Sequence, residues 1–224
     1  MITVYGFEAV TPEVIGITRD LRVLWMLEEC GLAYQVHGLD DFADDLRSPE
    51  YLAVSPFGKV PAIDDDGVIL FESGAILAYI AERSGRLAPA NAVERAKALQ
   101  WAFAALDTVE TPLTGIAVID LFQADAEWAQ QRRSALVTMA RDRLAALDRI
   151  LTNRSYLLGD EFAYPDILMA TSLRQVRHTD ILETYPHVVS YLARCDDRPA
   201  WRICLDAYKE RLAASLDLRQ RPPK

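Results

Sequence analysis

Within KVPAIDDDGVILFESGAI, residues 59–76, three backbone features stand close enough together to act on one small ligand. Pro61 has no N–H, so it belongs at the head of a strand or on an edge. A cis Val60–Pro61 bond would turn the chain sharply and leave the Val60 N–H and C=O free to pair with the backbone of a peptide-like ligand. Glu72 and Ser73 open a helix, where unpaired N–H groups and the positive end of the dipole favour a carboxylate. The Ser73 hydroxyl adds a donor, and the Glu72 carboxylate could accept from an ammonium group. Together these groups describe a receptor for an amino-acid head followed by a peptide bond. Each piece alone has an ordinary structural reading: Val-Pro heads many strands, Glu-Ser opens many helices, and Asp64-Asp65-Asp66 reads as a solvated turn rather than a metal site.

The elements that must hold these residues follow from periodicity and punctuation. ITVYGF (2–7) reads as a strand, and RDLRVLWMLEECG (19–31) as a helix stopped by Gly31. AYQVHGL (33–39) is a second strand, followed by an Asp-rich stretch through residue 53 that holds a short helix and loops. VPAID and VILF form a hairpin around Asp65-Asp66-Gly67, because Asp-Gly favours a tight turn. ESGAILAYIAERSG (72–85) is a helix with Ile76, Leu77, Tyr79 and Ile80 on its apolar face. The order βαβαββα predicts an α/β domain over 1–85, a mixed sheet with helices packed on it. Residues 86–90 form a linker around Pro89, and 91–224 read as an all-α domain. Two long helical stretches, 91–122 and 124–152, precede shorter helices starting near Pro165, Pro186 and Arg198. The tail SLDLRQRPPK lacks periodicity and is predicted to be mobile.

Bulk properties narrow the function classes. The 224 residues carry a formal net charge of −9 and are 51% hydrophobic, enough for a packed core and wrong in sign for nucleic acid or an anionic membrane. No apolar run reaches the roughly 20 residues of a membrane-spanning helix, and MITVYGF does not read as a signal peptide, so a cytoplasmic protein is expected. Cys30, Cys195 and Cys204 form no CxxC pair and read as buried structural thiols. With three scattered histidines and no HExxH, no metal is expected.

SPFGKVPAIDDDGVILFESGAILAYIAER resembles the glutathione-binding core of cytosolic glutathione transferases, with Gly-x-Val-Pro, a hairpin, Glu-Ser-x-x-Ile and a following Tyr-Ile. TRDLRVLWMLEECGLAYQV is similar to the family's first helix and second strand, and YLLGDEFAYPDILMA and YPHVVSYLARCDDRPAWR to its C-terminal landmarks. The resemblance spans essentially the whole chain. It implies a thioredoxin-like N-terminal domain, an all-helical C-terminal domain, a homodimer and a detoxifying transferase with glutathione as co-substrate.

Carried over, Val60 clamps the cysteinyl backbone with Pro61 as the cis proline, Glu72 and Ser73 hold the γ-glutamyl end, and Lys59 lies near the glycyl part. Serine-type members place a hydroxyl four residues before an arginine of the first helix. Counting back from Arg22 gives Thr18, which is also the natural N-cap, as the donor to the glutathione sulfur. Thr11 is an alternative because FEAVTPEVIGI looks longer than the family's usual loop, and Tyr5 because some members use a tyrosine at the end of the first strand. The resemblance further suggests an apolar electrophile met by Trp101, Phe103 and Leu106, and a role for Asp107 toward a partner subunit's glutathione. Reduction of a disulfide or peroxide, or a non-catalytic binding module, are the other readings. At FAYPDI the family's hydroxyl cap is replaced by Ala163, which deprives Asp166 of its capping-box partner.

Overall fold

The computed structural model describes residues 1–219, and side chains through Ala213. The chain divides into two compact units: residues 1–86 together with residues from Pro199 onward, and residues 87–198.

The first unit is built on a four-stranded sheet. β1 (Ile2–Ala9), β2 (Tyr34–Asp40), β3 (Ala62–Asp65) and β4 (Val68–Phe71) lie in the order β2-β1-β3-β4. β1 and β2 are parallel, joined through α1 (Asp20–Cys30), whereas β3 is antiparallel to both β1 and β4. Parallel strands need such a crossover, while the β3–β4 hairpin closes in two residues, Asp66 and Gly67, both with positive φ. The acidic turn is structural. Asp64 accepts from the Gly67 N–H at 2.7 Å, and buried Asp65 holds Tyr79 and Arg83, each at 2.9 Å.

α1 is buried along nearly its whole length and ends at Gly31, whose left-handed conformation lets Leu32 bond back to the Leu27 carbonyl at 3.0 Å. α3 (Ser73–Ser84) buries Ile76, Leu77 and Ile80, as its period predicts, and also ends on a left-handed glycine, Gly85. The Asp-rich connection holds two short 3-10 turns and α2 (Pro49–Leu52), which Ser48 caps by accepting from the Tyr51 N–H.

The second unit is helical: α4 (Ala92–Phe103), α5 (Glu110–Phe122), α6 (Ala129–Leu151), α7 (Tyr164–Leu173) and α8 (Pro186–Asp196). α4 and α5 are one continuous helix with a π-helical turn at Ala104–Val109. Pro112 explains the turn: it cannot donate to the carbonyl four residues back, and its ring would collide with it, so the ladder widens there. The run Ala92–Phe122 is long and apolar enough, by length and composition, to cross a membrane, which the sequence reading did not foresee. Half of that apolar window is buried inside the protein, as in the core helix of a globular fold. α7 is the centre of this unit, with all ten of its residues buried.

Three expectations are corrected. The second long helix starts at Ala129, not 124, because residues 124–128 form turns after Phe122. The last helix, α9 (Pro199–Arg219), belongs with the first unit, not with a continuous 91–224 domain. Its residues pack on α1: the Trp201 and Trp25 rings lie 4.8 Å apart, and Cys204 Sγ lies 3.8 Å from the Leu21 carbonyl. The tail read as lacking periodicity is helical from Ser215 to Arg219; the rest of that segment, 220–224, lies outside the described residues.

Candidate functional site

The hairpin register brings the two halves of the 59–76 motif together. Ala62 pairs with Phe71, so one step further along, Pro61 and Val60 leave one strand where Glu72 and Ser73 leave the other. The Val60–Pro61 bond is cis. The Val60 side chain is buried with Leu39, Leu46, Tyr51 and Ala62, and no described residue hydrogen-bonds to its main-chain N–H or C=O. An anchored side chain beneath an unpaired peptide group suits recognition of an extended backbone.

The loop before Val60 is held by its own polar groups. The Lys59 carbonyl accepts from the Tyr51 hydroxyl at 2.7 Å and from Ser55 Oγ at 2.8 Å. Burial first, against a hydrogen bond to Ser55, raises the Tyr51 hydroxyl to about 12, so it remains a donor. Gly58 has φ 57°, and a Cβ there would stand 2.6 Å from the Leu46 carbonyl, so the turn admits no larger residue without shifting backbone. The Lys59 side chain is exposed.

Glu72 has φ 70° and ψ 111°, a region a non-glycine residue rarely occupies, and its exposed side chain does not cap the helix it precedes. Backbone strain of this kind persists where surrounding structure enforces it, and it clusters at ligand sites. Ser73 is buried, and its Oγ accepts from the Arg22 guanidinium at 3.1 Å. That leaves the Ser73 hydroxyl hydrogen available to a ligand. α3, at 12 residues, presents the unpaired N–H groups of a full helix beside it. In the sequence alone, Arg22 is only a mark from which to count. Its partnership with Ser73, 51 positions away, needed the fold to be seen.

Thr18 does not cap α1; Arg19 stands at that position. The Thr18 side chain is buried, and its Oγ1 donates to the Tyr208 hydroxyl of α9 at 2.8 Å. A hydroxyl has one hydrogen, and here it is used inside the chain, on Tyr208. Asp20, fully buried, accepts from the Phe7 N–H at 2.9 Å. Burial pushes its carboxyl above the ordinary value, against the lowering effects of Thr18, Phe7 and the Arg211 charge. Burial likewise raises the Tyr208 hydroxyl.

Of the alternatives, Tyr5 is half-buried in the sheet with its ring 5.1 Å from His37 and 5.8 Å from Tyr51. Thr11 stands before a 3-10 turn at Pro12–Val14, its hydroxyl buried and without a hydrogen-bond partner among the described residues. The three cysteines are free and buried, and burial raises all three thiols, the opposite of what a protein nucleophile needs. In the second unit Trp101 and Leu106 are half-buried, Phe103 is 68% exposed, and exposed Asp107 accepts at its carbonyl from Thr111.

Comparison with known proteins defines the class first. Residues 21–83 match the family described as Glutathione S-transferase, N-terminal domain, and residues 114–203 match Glutathione S-transferase, C-terminal domain. With the mixed sheet, this makes the first unit a thioredoxin-like glutathione-transferase domain and the second its helical companion. A glutathione S-transferase-like protein of Beauveria bassiana is 30% identical over 190 residues, 80% of this chain and 86% of that protein. The chain belongs to the glutathione S-transferase family.

Two further similarities are informative. A glutathione transferase from Pseudomonas putida, solved with one glutathione disulfide bound per subunit, has a TM-score of 0.81 at 28% identity, covering 91% of this chain and 90% of that one. Elongation factor 1-gamma of Danio rerio is 30% identical over 175 residues, covering 75% of this chain but 38% of that protein.

Proposed function

We propose that this protein is a cytoplasmic glutathione transferase that binds glutathione at the open end of the β3–β4 hairpin and adds its sulfur to an electrophilic, largely apolar substrate. The carrying observation is the union, at one end of that hairpin, of the cis Val60–Pro61 peptide with a buried serine at a helix N-terminus. In this reading the Val60 N–H and C=O pair with the cysteinyl residue. The α-carboxylate of the γ-glutamyl group meets the α3 N-terminus and the Ser73 hydroxyl, its ammonium group meets Glu72, and Lys59 lies toward the glycyl carboxylate. Held in this way, the thiol loses its proton to solvent, the sulfur forms the new bond to the electrophilic atom, and the displaced group leaves with its electron pair.

A free thiol has a pKa near ~8.5, so catalysis at neutral pH requires a setting that favours the thiolate. Thr18 sits in the segment entering α1, where the sequence reading places sulfur activation, but its hydrogen is engaged by its neighbours. The exposed apolar patch of Phe57, Val68, Ile69 and Phe71 along edge strand β4 is proposed to be covered by a second copy in a homodimer.

The glutathione disulfide held by the Pseudomonas putida relative supports a second reading, reduction of a mixed glutathione disulfide with glutathione as reductant. The elongation-factor relative supports a third, a binding module without catalysis. Glutathione-affinity retention, followed by one assay with an aryl halide and one with a mixed disulfide, separates the three. The first reading expects retention and aryl-halide coupling. Retention with activity on the disulfide alone establishes the second, and absence of retention favours the module.

A further inference from the structure

α9 reaches the entry to α1 through three polar contacts besides its apolar packing. Tyr208 meets Thr18 at 2.8 Å, Arg211 donates to the Phe7 carbonyl at 3.2 Å, and the same guanidinium lies 3.9 Å from the Asp20 carboxylate. Asp20, two residues after Thr18, in turn ties the start of α1 to β1 by accepting from the Phe7 N–H at 2.9 Å. Gly6 belongs to this arrangement, since a Cβ there would stand 2.8 Å from Asp20 Oδ2. Two residues after Asp20, on the same rigid first turn, Arg22 donates to Ser73. A continuous set of buried and part-buried groups therefore runs from α9 to the serine at the head of α3.

We propose that Tyr208 and Arg211 are positioning residues for glutathione: by fixing the start of α1 they set Arg22, and through Arg22 the Ser73 hydroxyl that receives the γ-glutamyl carboxylate. Thr18 is a link in this chain and not the donor to the sulfur. The inference rests on the reading of Ser73 given above.

The test measures glutathione affinity by calorimetry and the pKa of the bound thiol by thiolate absorbance, on the whole protein. Tyr208→Phe and Thr18→Val each delete one hydroxyl from the chain. Each is expected to raise the glutathione Kd by about three- to tenfold, the scale of one hydrogen bond, without moving the bound-thiol pKa. Thr18→Ser restores wild-type affinity. In a Ser73→Ala background, Tyr208→Phe adds nothing further, an outcome general destabilisation would not produce. If Tyr208→Phe fails to fold, Arg211→Gln carries the same expectation at a partly exposed side chain.

Wild-type binding with Kd unchanged in Tyr208→Phe and Arg211→Gln overturns the positioning role alone. A rise in bound-thiol pKa in Thr18→Val with unchanged affinity overturns it too and makes Thr18 the donor. Failure of the wild-type protein to bind glutathione overturns the functional reading and this inference with it.

Discussion

Ser73 is buried at the first position of a helix and accepts from a charged guanidinium, which orients its remaining hydrogen outward from Arg22. Replacing it with alanine removes that hydrogen and leaves a buried Arg22 donor without its acceptor, so two effects add in the same direction. Ser73→Ala is expected to weaken glutathione binding at least several-fold, read as a higher Kd by calorimetry. The cis Val60–Pro61 bond and the helix opening at Ser73 were legible in the sequence because each carries a local backbone signature. The partner of Thr18 was not, since it is Tyr208, 190 positions along the chain, and no local pattern reports such a contact. The helix cap expected at Thr18 stands one residue later, at Arg19.

At the scale of elements, the entry to α7 shows how a missing hydroxyl is tolerated. Ala163 has the extended conformation of an N-cap but no side-chain acceptor, so only the reciprocal half of the capping box exists: Asp166 accepts from the Ala163 N–H at 2.9 Å. The same carboxylate takes the Leu157 N–H and the Tyr191 hydroxyl, each at 2.9 Å, which ties the loop before α7 and the facing α8 to this one residue. Ala163→Ser is expected to raise unfolding stability by about 1 kcal/mol in a denaturant titration. Burial pushes the Asp166 carboxyl up to about 6, so it holds its proton more tightly folded than unfolded. Its contribution therefore falls as pH rises from 3.8 through about 6, and the serine variant should show its gain over that sloping background. Strands and helices were legible from their periods, as α3 illustrates. The π turn was not, because its cause, Pro112, sits inside a run that reads as uninterrupted helix.

For the whole molecule, the apolar edge at β4 is the feature with the largest expected consequence. Phe57 is 71% exposed and its ring meets Phe71 edge-on at 6.1 Å, beside exposed Val68 and Ile69. If a second copy covers this patch, Phe57→Asp should shift the mass measured by light scattering from that of two chains to that of one. Retention of the two-chain mass would place the contact elsewhere. The division near residue 85 was visible as a change from mixed to purely helical pattern. The return of α9 to the first unit was not, because an amphipathic helix announces that it has an apolar face and not what it will pack against.

That return bears on synthesis. Trp201, Cys204 and Tyr208 contribute to the packing of the first unit, yet they leave the ribosome more than a hundred residues after Arg86. At roughly 5–20 residues per second, the nascent sheet waits on the order of ten seconds for its final helix, with α1 uncovered meanwhile. The helical unit, continuous in sequence, has no such delay, so the segment made first is the one completed last.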